Sequence, residues 1–261
     1  MKRYESIKNA QGVKERVPKD LGKLFNLNYL RYTNKTYYSE YLELPELYCD
    51  TDVFPDFIVG YAHPADYHVT DRTAVAFYQY DNTFDGMHGL YNAIYHNDER
   101  LLKKFKKRFE GVQFFISPDF SQFGDVDILE NLYRLKKARV ISLWLAMELN
   151  AIVFPNITYP LIDFLPFYLN GLENCHVVAF STMCYVDNEV ERENIKAAVK
   201  FTVDTLSLHT IIVFDICGDN AIVNELFAYA LEQGINVIVP PNSQKIWNTS
   251  KKHHPKEGDV K

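Results

Sequence analysis

From Pro55 onward the chain repeats one hydrophobic motif: FIVGY at 57–61, TAVAFYQY at 73–80, VQFFIS at 112–117, AIVFP at 151–155, HVVAFS at 176–181, TIIVFD at 210–215 and INVIVP at 235–240. Each run is short, nearly continuous in apolar character and rich in β-branched and aromatic residues, the pattern of a strand covered on both faces. Between the runs the apolar spacing changes to that of helices. Asn97 opens one, with Leu101, Leu102, Phe105 and Phe109 on a single face and Gly111 as its left-handed stop. Another begins near Asp125, places Asp127 and Glu130 at its positive end, and runs into the nearly all-apolar stretch ISLWLAM at 141–147, which must be buried. Further helices follow Asp187-Asn188 and Asp219-Asn220, the last stopping at Gly234.

Strands that alternate with helices join as right-handed parallel crossovers, so the expected fold class is α/β with a parallel sheet. In such a sheet the segments after the strand C-termini share one edge, where ligands bind. Here they are Tyr80-Asp81-Asn82, Pro118-Asp119-Phe120-Ser121, Pro155-Asn156, Ser181-Thr182, Asp215 and Pro240-Pro241-Asn242, and each carries a polar group. An open doubly wound, Rossmann-like sheet needs such groups only beside its switch point, whereas a closed barrel brings every strand end to one axis. The pattern therefore favours a barrel-like, TIM-barrel-like arrangement, with the open sheet as the alternative.

The candidate catalytic residues are Asp119, as general base or metal ligand, and Asp81 as its partner. Ser121, Asn156, Ser181, Thr182 and Asp215 are the candidate binding residues. Asn, Asp, Ser and Pro are also what turns and helix caps use, so Asp119 and Ser121 have a second reading as the end of a turn started by Pro118. Asp81, Asp119 and Asp215 offer hard oxygen ligands, which leaves Mg²⁺ open as a cofactor. No His-Glu-x-x-His spacing, Walker loop or dinucleotide fingerprint is present, and His176 and His209 precede strands, at the wrong end for the site. Cys49, Cys175, Cys184 and Cys217 form no Cys-x-x-Cys pair and are expected as reduced, buried thiols, although Cys184 and Cys217 follow strands on the site edge.

Composition narrows the class. The 47% hydrophobic and 24% charged content is that of a folded globular chain. No apolar run approaches a bilayer span and no secretory apolar region follows Met1, so a cytoplasmic location is expected. The net charge of −6 is unevenly spread: Lys and Arg outnumber Asp and Glu nine to three over 1–36 and five to two over 243–261, against fourteen to twenty-nine between them. The expected division is a basic, aromatic extension at 1–50, packed loosely on an α/β domain at 51–242, and a polar basic tail at 243–261 without fixed structure. The partners considered are a small polar ligand or nucleotide at the sheet edge and, alternatively, nucleic acid through the basic N-terminal segment and the lysine-rich face at 103–108. A partner-dependent scaffold using the tyrosines of 28–95 is a third possibility.

Residues 74–240 resemble an uncharacterised family, the domain of unknown function 4417, carried by phages, plasmids and other mobile elements. The resemblance rests on Phe77-Tyr-Gln-Tyr-Asp81 with Phe84, Ser117-Pro-Asp-Phe-Ser121, Leu132-Tyr-Arg134, Ile152-Val-Phe-Pro-Asn156, Ser181-Thr182 with Cys184, and Ile211-Ile-Val-Phe. The chain departs from the family pattern in having Tyr80-Asp81 where two acidic residues stand, Met183 where a Gly stands, and Asp215 at a Tyr-Gly position. The resemblance implies a bacterial or phage setting and strengthens the strand-end residues as a site. It implies no activity.

Overall fold

In the structure, a computed structural model that describes residues 26–183, 188–217 and 220–247, all seven apolar runs are strands. They are β1 Phe57–Gly60, β2 Thr73–Ala76, β3 Phe114–Ile116, β4 Ile152–Phe154, β5 Val177–Ser181, β6 Thr210–Phe214 and β7 Asn236–Ile238. Every residue of β2, β3, β5 and β6 is buried, as continuous apolar runs require. The strands form a four-stranded sheet in the order β1-β2-β3-β4 and a three-stranded sheet in the order β5-β6-β7. All five pairings are parallel and neither sheet reverses its strand order.

Two isolated parallel bridges connect the sheets. At the first seam Asn156, just past β4, pairs with Ala179 of β5: Ala179 donates to the Pro155 carbonyl (2.7 Å) and Ile157 donates to the Ala179 carbonyl (2.9 Å). At the second, Ile58 of β1 pairs with Asn242 beyond β7, and its N–H donates to the Pro241 carbonyl (3.0 Å).

The helices begin where short polar side chains can satisfy free N–H groups. Asp98 caps helix Glu99–Arg108 by accepting from Leu101, Asp127 caps helix Ile128–Leu149 by accepting from Glu130, and Asn188 caps helix Glu189–Thr205 by accepting from Glu191. The expected cap at Asn97 is thus displaced by one residue. Asn97 instead ends a preceding helix, Leu90–His96, in the left-handed conformation (φ 52°). That helix is hidden in the sequence by its run of Tyr and Asn. The apolar half of helix Ile128–Leu149 is buried without interruption from Ala138 to Leu145.

Residues 26–50 are not a loose extension. Tyr32, Leu44, Leu47 and Cys49 are buried in the same continuous core as the strands. Leu47 donates to the Gly171 carbonyl, and Cys49 pairs with Cys175 ahead of β5. Cys49, Cys175 and Cys217 are free buried thiols, and burial pushes Cys175 up to about 12 and Cys217 to about 11. Cys184, the basic segment 1–25 and the tail from 248 lie outside the described residues. Among the described residues, no helix is long and apolar enough to cross a membrane.

One buried cation ties helix Ile128–Leu149 to the segment 168–171. Arg139, 3% exposed, donates to the carbonyls of Tyr168 (3.1 Å), Gly171 (3.3 Å) and Asn170 (3.4 Å). Burial lowers its pKa to about 10. The guanidinium fork satisfies a turn that the backbone cannot satisfy itself. Replacing it takes the donor from the Tyr168 and Asn170 carbonyls, while Gly171 keeps that of Leu47, so Arg139→Met should cost roughly 2–4 kcal/mol in urea unfolding, with Arg139→Lys intermediate.

Candidate functional site

The site is built from the segments that follow β2, β3, β4 and β5. Beyond β3 the chain runs through Ser117 and Pro118 to Asp119. Beyond β4 it runs through Pro155 to Asn156, which the seam with β5 holds in place. Asp119, Ser121, Asn156, Thr158 and Ser181 line one pocket of about 240 Å³, together with Phe180 and Met183. Four of the residues expected to form a site therefore do meet: Asp119, Ser121, Asn156 and Ser181.

Asn156 is held at three points. Its backbone N–H donates to the Ser117 hydroxyl (2.7 Å), its Oδ1 accepts from the Tyr78 hydroxyl (2.6 Å), and its Nδ2 donates to Oδ1 of Asp119 (2.9 Å). The Tyr78 hydroxyl holds the end of the amide turned away from Asp119. The Tyr78 ring in turn stacks on Phe214 at the end of β6, with centroids 4.6 Å apart. Asp119 is enclosed on most sides, and its pKa is raised to about 6. Loss of hydration is the largest cause and the nearby charge of Asp81 adds to it, while hydrogen bonds from Thr158 and Asn156 act in the opposite direction.

Asp81 stands behind the pocket and does not line it. Its Oδ1 accepts from both the backbone N–H and the hydroxyl of Ser121 (each 3.0 Å), and its Oδ2 accepts from Nη1 of Arg134 (2.5 Å). Arg134 also donates from Nε to Glu130 (2.9 Å) and lies over the Phe123 ring at 5.2 Å. Asp81 thereby clasps the loop that Pro118 begins, which is a pocket wall and not a hydrogen-bonded turn.

Thr182 and Asp215 belong to a different network. Asp215 is completely buried; its Oδ1 accepts from the Thr182 hydroxyl (3.1 Å) and the Cys217 N–H (2.7 Å), and its Oδ2 accepts from Lys245 Nζ (2.5 Å). Asn242 donates to the Asp215 carbonyl (2.7 Å) and accepts from the Lys245 N–H (2.8 Å). These residues fasten the terminal helical turn at 243–247 to the sheet edge. Ser181 ends β5, whereas Thr182 lies just past it, where its N–H donates to the Phe214 carbonyl (3.0 Å) and its hydroxyl turns to Asp215. Among the described residues, no group of three His, Cys, Asp or Glu is arranged to hold a metal ion, so the three aspartates do not converge as Mg²⁺ ligands.

Sequence reasoning missed Tyr78, Thr158, Arg134 and Lys245. Tyr78 and Thr158 had a usable signal, since they lie two residues past β2 and two past Asn156. Arg134 had only its place in the Leu132-Tyr-Arg134 motif and its four-residue spacing from Glu130, and Lys245 had none. The lysine-rich face is also smaller than expected: Arg108 turns inward, donating to the Tyr61 carbonyl (2.6 Å) with its guanidinium 4.2 Å from the Tyr61 ring, and Lys106 pairs with Glu148 (2.5 Å).

Because the charge of Asp81 helps hold Asp119 protonated, Asp81→Asn should move the Asp119 titration below about 6. Carboxyl-carbon NMR across pH 3–8 measures this directly, and an unmoved Asp119 would deny the coupling.

No curated protein matches the chain. One family model does, and it spans residues 36–243, a stretch that holds all seven strands, both seams, Asp81, Arg134 and the whole lining of the pocket. The chain accordingly belongs to the family described as a domain of unknown function (DUF4417).

Proposed function

We propose that the pocket past β3, β4 and β5 binds a small polar ligand, a nucleotide or a smaller molecule, and that Asp119 exchanges a proton with it while Ser121, Asn156 and Ser181 position it. The single observation that carries this reading is the Tyr78–Asn156–Asp119 chain. It aims a carboxyl with a pKa near neutrality at a lined cavity, and enclosed acids tuned toward the working pH are typical of functional sites.

A barrel-like closure of the seven strands is part of the same reading. Its support is the unreversed strand order, the two seams, and the contact between Tyr78 and Phe214. In a flat sheet, β2 and β6 would be separated by four strand spacings, roughly 19 Å, which two aromatic side chains do not span. Curling the sheets brings the strand ends toward one axis, as a shared pocket requires.

The protonation of Asp119 has a measurable cost. Its folded pKa exceeds its unfolded value, so below about pH 4 it contributes nothing to the pH dependence of stability. As pH rises through the interval from about 4 to 6, the unfolded chain ionises first and stability falls, by an amount on the order of 2 kcal/mol once the group is charged in both states. Asp119→Asn keeps the shape and removes the charge. The variant should match the wild type near pH 4 and exceed it in thermal stability at pH 8, while losing ligand-induced stabilisation. A variant that is less stable at pH 8, or that retains ligand binding unchanged, would refute the role of Asp119.

A further inference from the structure

Taking the pocket as a ligand site, we infer that its ligand is a phosphate-free nitrogen heterocycle of the nucleobase or nucleoside class, held by Asp119 through a ring nitrogen and an adjacent N–H. Among the described residues that line the pocket there is no Lys, Arg or His, and Asp119 is the one ionisable acid. A phosphate would face a carboxyl at close range with no cation to offset either charge.

Cations around the pocket are already committed: Lys137, which lies over the Phe120 ring, pairs with Asp85. Arg134 is bound by Asp81 and Glu130, and Lys245 is bound by the buried Asp215. Releasing either for a phosphate would leave a carboxylate without its counter-charge, Asp215 in full burial. The nucleotide considered from the sequence therefore fits this pocket poorly.

The remaining groups describe what does fit. A carboxyl that is poised between its acid and its anion can donate to an unprotonated ring nitrogen or accept from a protonated one, and its second lone pair can take an adjacent N–H. Ser121 and Ser181 supply hydroxyls to the same pocket, and the partly exposed Met183 gives an apolar contact for a planar ring. The volume of about 240 Å³ lies below the roughly 300–1,000 Å³ usual for larger ligands, which suits one ring system with at most its sugar.

The experiment compares adenine, adenosine, cytosine and cytidine with adenosine and cytidine 5′-monophosphates by calorimetry at pH 6 and by thermal shift, on the full chain and on Asp119→Asn. At least one base or nucleoside should bind the wild type and lose about tenfold or more in affinity in Asp119→Asn, and its 5′-monophosphate should bind at least about tenfold more weakly than the nucleoside. A monophosphate that binds as tightly as its nucleoside, still dependent on Asp119, overturns the ligand class and leaves the site standing. Absence of Asp119-dependent binding by all six probes also overturns the class; the site itself then stands or falls on the separate pH-stability difference between wild type and Asp119→Asn.

Discussion

Asn156 occupies the place where two requirements meet. Its backbone continues β4 into a bridge with β5, joining the four-stranded sheet to the three-stranded one, and its side chain orients Asp119. A residue that only joined sheets could be any strand former, and one that only held an acid could sit on a loop. Doing both ties the chemistry of the pocket to the register of the sheets. A slip of one residue at this seam would turn the amide away from Asp119 and toward the opposite face. Tyr78 guards against that slip, because its hydroxyl holds the amide and its ring is held against Phe214.

Polar side chains in this protein divide into those that hold structure and those left to face the cavity. Arg139 satisfies a turn, Lys245 and Asp215 fasten the terminal helical turn, and Asp81 with Arg134 clasps the loop around Ser121. In each, opposite charges or carbonyl dipoles compensate the loss of hydration. Asp119 is the exception, receiving hydrogen bonds from neutral groups only and feeling another negative charge nearby. That imbalance distinguishes it from the structural aspartates of the same edge better than its position in the sequence does.

The strands were legible because a parallel strand covered on both faces has to be apolar along its whole length, and FIVGY, TIIVFD and their counterparts can be little else. Helix starts were legible to within two residues wherever an Asp or Asn cap preceded an apolar period: Asn188 caps where expected, whereas Asp127 caps two residues past the expected start near Asp125. Residues 26–50 misled because Tyr32, Leu44, Leu47 and Cys49 are buried at irregular intervals by a segment with almost no regular structure, so no period marks them. Asp119, Ser121, Asn156 and Ser181 could be found since strand ends in a parallel sheet share an edge. Thr182 and Asp215 could not be sorted from them, because past the end of a strand the alternation of faces is no longer dictated by pleating. Arg134 and Lys245 arrive from helical segments and depend on tertiary packing alone.

The seam at Asn156 consists of a single bridge, whereas the pairing of β5 with β6 runs over five residues. A join so narrow resists separation much less than a full ladder does, and here it forms part of the cavity wall. Whatever fills the cavity will therefore brace the junction of the two sheets, and an occupied molecule will exchange its Ala179 and Ile157 amide hydrogens more slowly than an empty one.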